Sequence, residues 1–235
     1  MAKFLTELSR QHYDFPNPEL AWQEPDGLLA FGGDLSPKRL ITAYQQGIFP
    51  WFSAQDPFLW WSPSVRAYFD PKTFTPAKSL KKFQRKHQYQ VTFNLDTEHV
   101  IRQCANTRSA EETWITTEMQ EAYVALAQRG HCQSVEVWQD QQLIGGFYGL
   151  TIGQVFCGES MFSIADNASK IALWYFCHHF AHHNGKMIDC QMMNPHLESL
   201  GAQPLSRSRY LALLLRLKDQ PMTASYLTPQ TLQGE

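Results

Sequence analysis

The sequence predicts a mixed α/β fold, an α+β mixed sheet covered by helices over residues 66–235, preceded by a small N-terminal domain over residues 1–65. Three observations predict it. From residue 90 onward, apolar runs of strand length alternate with stretches of helical periodicity. Residues 155–193 follow one another as strand, helix and strand, the pattern of a βαβ-type crossover. Residues 1–65 are instead dense in Pro, Gly and Trp and hold no sustained period.

At 235 residues the chain can bury a sizeable core. A formal net charge of −2 means that any nucleic-acid binding must come from a local patch. No apolar run approaches a membrane span, and residues 1–15 lack the apolar centre of a secretion signal. Five cysteines, at 104, 132, 157, 177 and 190, show no C-x-x-C spacing, and three lie in strongly apolar surroundings. They read as buried free thiols in a reducing compartment, which makes the cytoplasm the expected location.

In chain order, Pro16, Pro18 and Pro25 break the first stretch, and Asp26-Gly27 is a turn. Ser36-Pro37 opens a helix over 37–46 that Gly47 stops. Residues 47–66 carry Trp51, Trp60 and Trp61 among prolines, too irregular for a strand and too aromatic for a free loop. These rings form either a small hydrophobic subcore or the wall of a site. Thr75-Pro76 caps a short helix, in which Lys78, Lys81, Lys82, Arg85 and Lys86 recur at helical spacing on one face. With no acid between Lys72 and Asp96, a phosphate backbone is the natural partner of that stripe.

Next come a strand over 90–94, a helix over 96–104, the charged loop Arg108-Ser109-Ala110-Glu111-Glu112 leading to Trp114, and a helix over 118–129 striped by Met119, Ala122, Tyr123 and Leu126. Strands over 134–138, 143–151 and 155–157 make an antiparallel meander. A helix over 167–183, with Asp166 or Asn167 as N-cap, ends at Asn184-Gly185. A strand over 186–193 and a leucine-rich helix over 208–218 complete the fold, and the tail from Gln220 looks loose.

Polar residues mark the two strand ends. Along 186–193, Ile188, Cys190 and Met192 face one way and Asp189 and Gln191 the other, roughly 6.5–7 Å apart. A carboxylate inside a buried strand is costly without partners, and Glu159 ends the companion strand. A satisfied polar network and a functional site fit that pattern equally well. His178, His179, His182 and His183 form i, i+4 pairs at a helix end, where imidazoles also suit the helix dipole; no HExxH accompanies them, and no metal is expected.

The element order, with a sheet opened beyond Cys157 and Lys186, resembles the core of GCN5-related N-acetyltransferases. The segments FGGDLSPKRLITAYQQGIFPWFS, WWSP, TWIT, SVEVW, GGFYG, FCGESMFS, NASK and IDCQMMNPHLESLGA together resemble the leucyl/phenylalanyl-tRNA–protein transferase family, from about residue 26 to residue 204. The resemblance implies a small N-terminal domain joined to an acetyltransferase-like domain. It also implies transfer of Leu or Phe, and Met less well, from aminoacyl-tRNA to proteins beginning with Arg or Lys, which marks them for degradation by the N-end rule. A cytoplasmic enzyme is implied, acting as a monomer without membrane or cofactor. The pyrophosphate loop of CoA enzymes is missing; GESMFSIADNASK follows Cys157 instead.

The family's chemistry is aminolysis of an ester, which runs downhill without ATP or metal; alignment and proton transfer carry the work. The resemblance assigns Asp189 and Gln191 to catalysis, Asp189 accepting from the attacking amine and Gln191 orienting it. Glu159 would hold the donor's α-amino group and adenosine region, and the acids Glu159 and Asp189 would also suit a cationic acceptor. Phe147, Phe156 and Phe176, with Met161 and Ile188, would line the side-chain pocket. Trp51 and Trp114 would stack on the terminal adenosine, and Lys78, Lys81, Lys82, Arg85 and Lys86 would hold acceptor-stem phosphates. Ser160, counted with the substrate side, and Lys170 are open between helix entry and phosphate contact. Two other functions fit less of the pattern: a CoA-dependent N-acetyltransferase and a non-catalytic tRNA-binding module.

Overall fold

The computed structural model describes residues 5–107 and 114–234. In the N-terminal part, β1 (Thr6–Leu8) runs parallel to β2 (Leu28–Gly32). Helix α1 (Pro37–Gln45) follows, with the Ser36 hydroxyl accepting the Arg39 N–H and Pro37 in its first turn. β3 (Phe49–Pro50) and β4 (Leu59–Trp61) complete a four-stranded sheet of order β1-β2-β4-β3. Residues 47–66 therefore do contain strands, against the expectation. Strands of two and three residues are too short to show alternation, and Pro50 is tolerated because β3 is an edge. Trp60 is fully buried and its indole N–H donates to the Gly32 carbonyl at 3.0 Å.

The second sheet begins with β5 (Val65–Phe69), followed by α2 (Lys78–His87), β6 (Gln90–Phe93), α3 (Thr97–Asn106) and α4 (Thr117–Gln128). Then come β7 (Cys132–Gln139), β8 (Gln142–Ile152), β9 (Val155–Ser163), α5 (Ala168–His182), β10 (Met187–Asp189), α6 (Pro195–Ser199), β11 (Gln203–Ser206), α7 (Arg207–Leu217) and β12 (Gln230–Thr231). Eight strands lie in the order β11-β5-β10-β9-β8-β7-β6-β12. β7 to β9 form the expected antiparallel meander, β6 adds antiparallel to β7, and β9–α5–β10 is the expected crossover, with β9 and β10 paired in parallel.

Alternation along β8 divides the core. Tyr148 and Leu150 turn toward α3, α4 and the N-terminal sheet, while Phe147 turns toward α5.

Several expectations need correction. The strand over 186–193 stops at Asp189, because Gln191 takes a left-handed φ of 56° that no strand accommodates. The strand from Val155 runs on to Ser163, since β8 offers it a partner throughout. Thr75 does not cap α2, whose N-cap is Ala77 without a side-chain bond. Asn167 does stand at the N-cap of α5, as one of the two expected candidates, but in a left-handed conformation and without a side-chain bond. The tail is seated rather than loose: β12 pairs with β6, and Tyr226 is buried. The charged loop 108–112 lies outside the described residues. Cys104, Cys132, Cys157 and Cys177 are buried, and Cys190 half-buried, and none of the five is in a disulfide.

Candidate active site

β9 and β10 pair only from Val155 to Cys157 against Met187 to Asp189, and then the chains part. On β9 the cause is a bulge. Tyr148 opposes Ser160 and Gly149 opposes Gly158, which leaves Glu159 as the extra residue without a partner on β8. Gly149 permits the close approach: a Cβ there would sit 2.2 Å from the Cys157 carbonyl oxygen. On β10 the cause is Gln191, whose backbone N–H donates to Asp189 Oδ1 at 3.0 Å and folds the chain out of the sheet.

A cavity of about 560 Å³ opens at the parting, and its lining includes Phe147, Phe156, Met161 and Ile188 with Glu159 and Gln191. Ser160 lines it too, with a buried hydroxyl that has no hydrogen-bond partner among the described residues. Phe176 lies beneath this surface, fully buried, its ring 4.5 Å from that of Phe156 and 5.3 Å from that of Phe147. The floor is thus a packed set of aromatic rings, and the polar groups gather at one wall.

At that wall Glu159 accepts from the Tyr123 hydroxyl and from Gln191 Nε2, each at 2.8 Å. The Tyr123 and Tyr44 hydroxyls lie 2.5 Å apart. Burial raises the Glu159 pKa to about 7; the two tyrosine hydrogen bonds oppose the shift, Asp189 adds to it and Arg66 opposes it. Gln191 therefore reaches Glu159 through a left-handed turn, and the strand alternation expected to set it on one face with Asp189 does not extend to it.

Asp189 is fully buried and does not line the cavity. Its Oδ2 accepts from Arg66 Nη2 at 2.9 Å and from the Tyr210 hydroxyl at 3.0 Å. Arg66 is clasped between the rings of Phe49 and Tyr210, 5.1 and 4.2 Å from their centroids. Burial would favour its neutral form, but the charge of Asp189 together with Tyr210 and Cys157 outweighs this and keeps the guanidinium protonated. The two acids are consequently not an equivalent pair, since the charge of Asp189 is matched inside the protein.

The remaining sequence candidates lie elsewhere. Trp51 is 38% exposed and meets Trp61 edge-on, with ring centroids 5.4 Å apart. Trp114 is half-buried against the core on the α4 side. Lys78, Lys82, Arg85 and Lys86 are exposed on α2, while Lys81 is half-buried with its ammonium 5.8 Å from the Trp174 ring. His179 is buried against the Tyr226 carbonyl, and burial, then the neighbouring His183, lowers its pKa to about 4. His183 bonds the Thr223 hydroxyl. Among the described residues, no group of three or more His, Cys, Asp or Glu side chains is arranged to hold a metal.

Arg66, Tyr44, Tyr123 and Tyr210 escape the sequence reading. A signal existed for two of them: Arg66 sits inside the apolar run Ala67–Phe69 extends, and Tyr123 lies on an apolar helical stripe, where a buried hydroxyl needs a partner.

The model of the leucyl/phenylalanyl-tRNA protein transferase family matches residues 68–215, and that of its N-terminal domain matches residues 33–64. A leucyl/phenylalanyl-tRNA–protein transferase of Vibrio vulnificus is 64% identical over 99% of this chain and 98% of its own. The protein of the same name from Photobacterium profundum is 58% identical, over 99% and 98% respectively. Among solved structures, the C-terminal domain of a putative lysylphosphatidylglycerol synthetase from Agrobacterium fabrum superposes with a TM-score of 0.40 at 12% identity, covering 86% of this chain and 64% of that one. At that level the likeness decides nothing about fold family or chemistry.

Proposed function

This chain belongs to the leucyl/phenylalanyl-tRNA protein transferase family, and on that premise we propose that it is an aminoacyltransferase moving Leu or Phe from aminoacyl-tRNA to the N-terminus of a protein. Met would be a poorer donor residue, and acceptors would begin with Arg or Lys, their modification marking them for degradation in the cytoplasm. Among the described residues no helix is long and apolar enough to cross a membrane. The region from 66 to 235 would be the acetyltransferase-like catalytic domain, with 1–65 as its N-terminal partner.

The observation that carries the reading is the cavity: an aromatic floor beside one carboxyl and one carboxamide, within the family match. An apolar pocket separates side chains differing by a methylene by only about 1–3 kcal/mol, which suits acceptance of both Leu and Phe. Phe147, Phe156, Met161 and Ile188 would take that side chain, with Phe176 supporting them from below. Glu159 would receive the donor's α-ammonium, and Gln191 would polarise the ester carbonyl and orient the attacking amine. In the reaction the acceptor nitrogen bonds to the carbonyl carbon, the bond to the ribose 3′-oxygen breaks, and the amine proton moves to the departing oxygen. Asp189 would act through its hold on the Gln191 backbone.

Trp51 and Trp114 would stack on the terminal adenosine, worth about 1–3 kcal/mol per base. The α2 stripe would follow acceptor-stem phosphates. The test is a transfer assay with labelled phenylalanyl-tRNA and two peptides, one beginning with Arg and one with Ala. Label on the Arg peptide alone supports the reading. Label on neither peptide, with tRNA bound, replaces it with a binding module.

A further inference from the structure

Glu159 lies at the end of a hydrogen-bond chain that begins in the N-terminal part of the protein. Tyr44 of α1 and Tyr123 of α4 are 2% and 0% exposed, and a buried phenol is costly without a partner. Tyr123 donates its proton to Glu159 at 2.8 Å, so in its 2.5 Å contact with Tyr44 it must accept. The chain therefore has one direction, Tyr44 to Tyr123 to Glu159. Burial, with the charge of Glu159 next, holds both phenols well above their ordinary range, so they remain donors.

The carboxyl has few other neighbours that could set its state. Asp189 on β10 and Arg66 on β5 are bonded to one another, which leaves little net charge from that side. Cys132 on β7 and Cys157 on β9 are pushed up by burial and stay neutral. Gln191 supplies the second direct donor, at 2.8 Å. What opposes the effect of burial on this half-buried carboxyl, and aims it, is thus chiefly this set of donors, and two of the three members of the chain lie outside the strands that form the cavity.

We propose that Tyr123, backed by Tyr44, is a positioning residue for aminoacyl transfer, holding Glu159 as the oriented carboxylate that meets the donor's α-ammonium. This rests on the function proposed above. A donor whose α-amine is acylated has no charge to offer, so the chain would confer a preference for donors with a free amine.

The experiment compares pH profiles of donor kcat/KM for wild type, Tyr123→Phe and Tyr44→Phe with one fixed acceptor peptide. Losing a hydrogen bond to the ionised form moves a carboxyl pKa upward. Tyr123→Phe should shift the acid limb up by about one pH unit, the scale of one charge-assisted bond. Activity at pH 6 should then fall about tenfold while that at pH 9 stays within about threefold of wild type. Tyr44→Phe should shift the limb less, in the same direction, and decides the matter if Tyr123→Phe does not fold. An N-acetylated donor should show no shift. A wild type that transfers, with acid limbs superimposable in all three proteins or activity lost equally at every pH, overturns the positioning role and leaves the function standing. A wild type that transfers neither Leu nor Phe overturns both.

Discussion

The two carboxyls flanking the parting of β9 and β10 have opposite surroundings. Asp189 ends a regular strand, is fully buried, and meets Arg66 at 2.9 Å with Tyr210 and the Gln191 N–H completing its shell. Glu159 is the extra residue of a bulge, borders a cavity, and has neutral donors only, with burial raising it to about 7. One charge is neutralised within the fold; the other is left for something that enters. The difference comes from backbone geometry, since a paired position points its side chain into a packed layer and a bulge re-aims it.

The largest effect should come from breaking the Asp189 side. Arg66→Met leaves a buried carboxylate without its cation and should destabilise by about 3–5 kcal/mol in urea denaturation. Adding Asp189→Asn should recover part of that loss. A single-variant loss below about 1 kcal/mol would mean that Asp189 is not held by Arg66, and the comparison would collapse.

Gly149→Ala attacks the Glu159 side through the backbone. Its methyl would lie 2.2 Å from the Cys157 carbonyl oxygen and 2.6 Å from the Phe156 ring, so about 1–3 kcal/mol of stability should be lost, with transfer falling as the bulge shifts.

The pH dependence contributed by Glu159 should be smaller. Glu159 is raised from 4.5 to about 7 in the folded protein, so the unfolded chain releases that proton first. Stability contributed by this group is present below pH 4.5 and falls as pH rises toward 7. Glu159→Gln should flatten the slope between pH 5 and 7 in urea midpoints while lowering donor kcat/KM about 10- to 100-fold. Glu136, also raised by burial, adds a slope of the same sign that both proteins share. An unchanged slope in the variant would show that Glu159 is not the raised group.

The smallest effect on stability should come from α2, away from both acids. The pair Lys82→Ala and Arg85→Ala should stay within about 0.5 kcal/mol of wild type. It should reduce the slope of log tRNA affinity against log salt by about one to two. An unchanged slope would remove α2 from the nucleic-acid interface.

Much of the fold was legible because it rests on local signals. Helical periodicity, with Ser36 as a cap for the first, placed α1, α3 and α4 to within a residue or two, and strand alternation placed the meander. The strands β2 to β5 were not, because short segments rich in Pro and Trp have no period to read. The tail was misread because two residues of β12 and the single ring of Tyr226 anchor it.

By itself the sequence determined the residue types, the crossover between two polar strand ends, the basic stripe and the family. Only the tertiary structure decided which acid is matched and which is offered. Arg66 lies 123 residues from Asp189, and Tyr44 lies 79 from Tyr123, separations at which no periodicity carries information. Those pairings arise when the two sheets and α4 pack, and packing thereby gives each carboxyl its own set of partners.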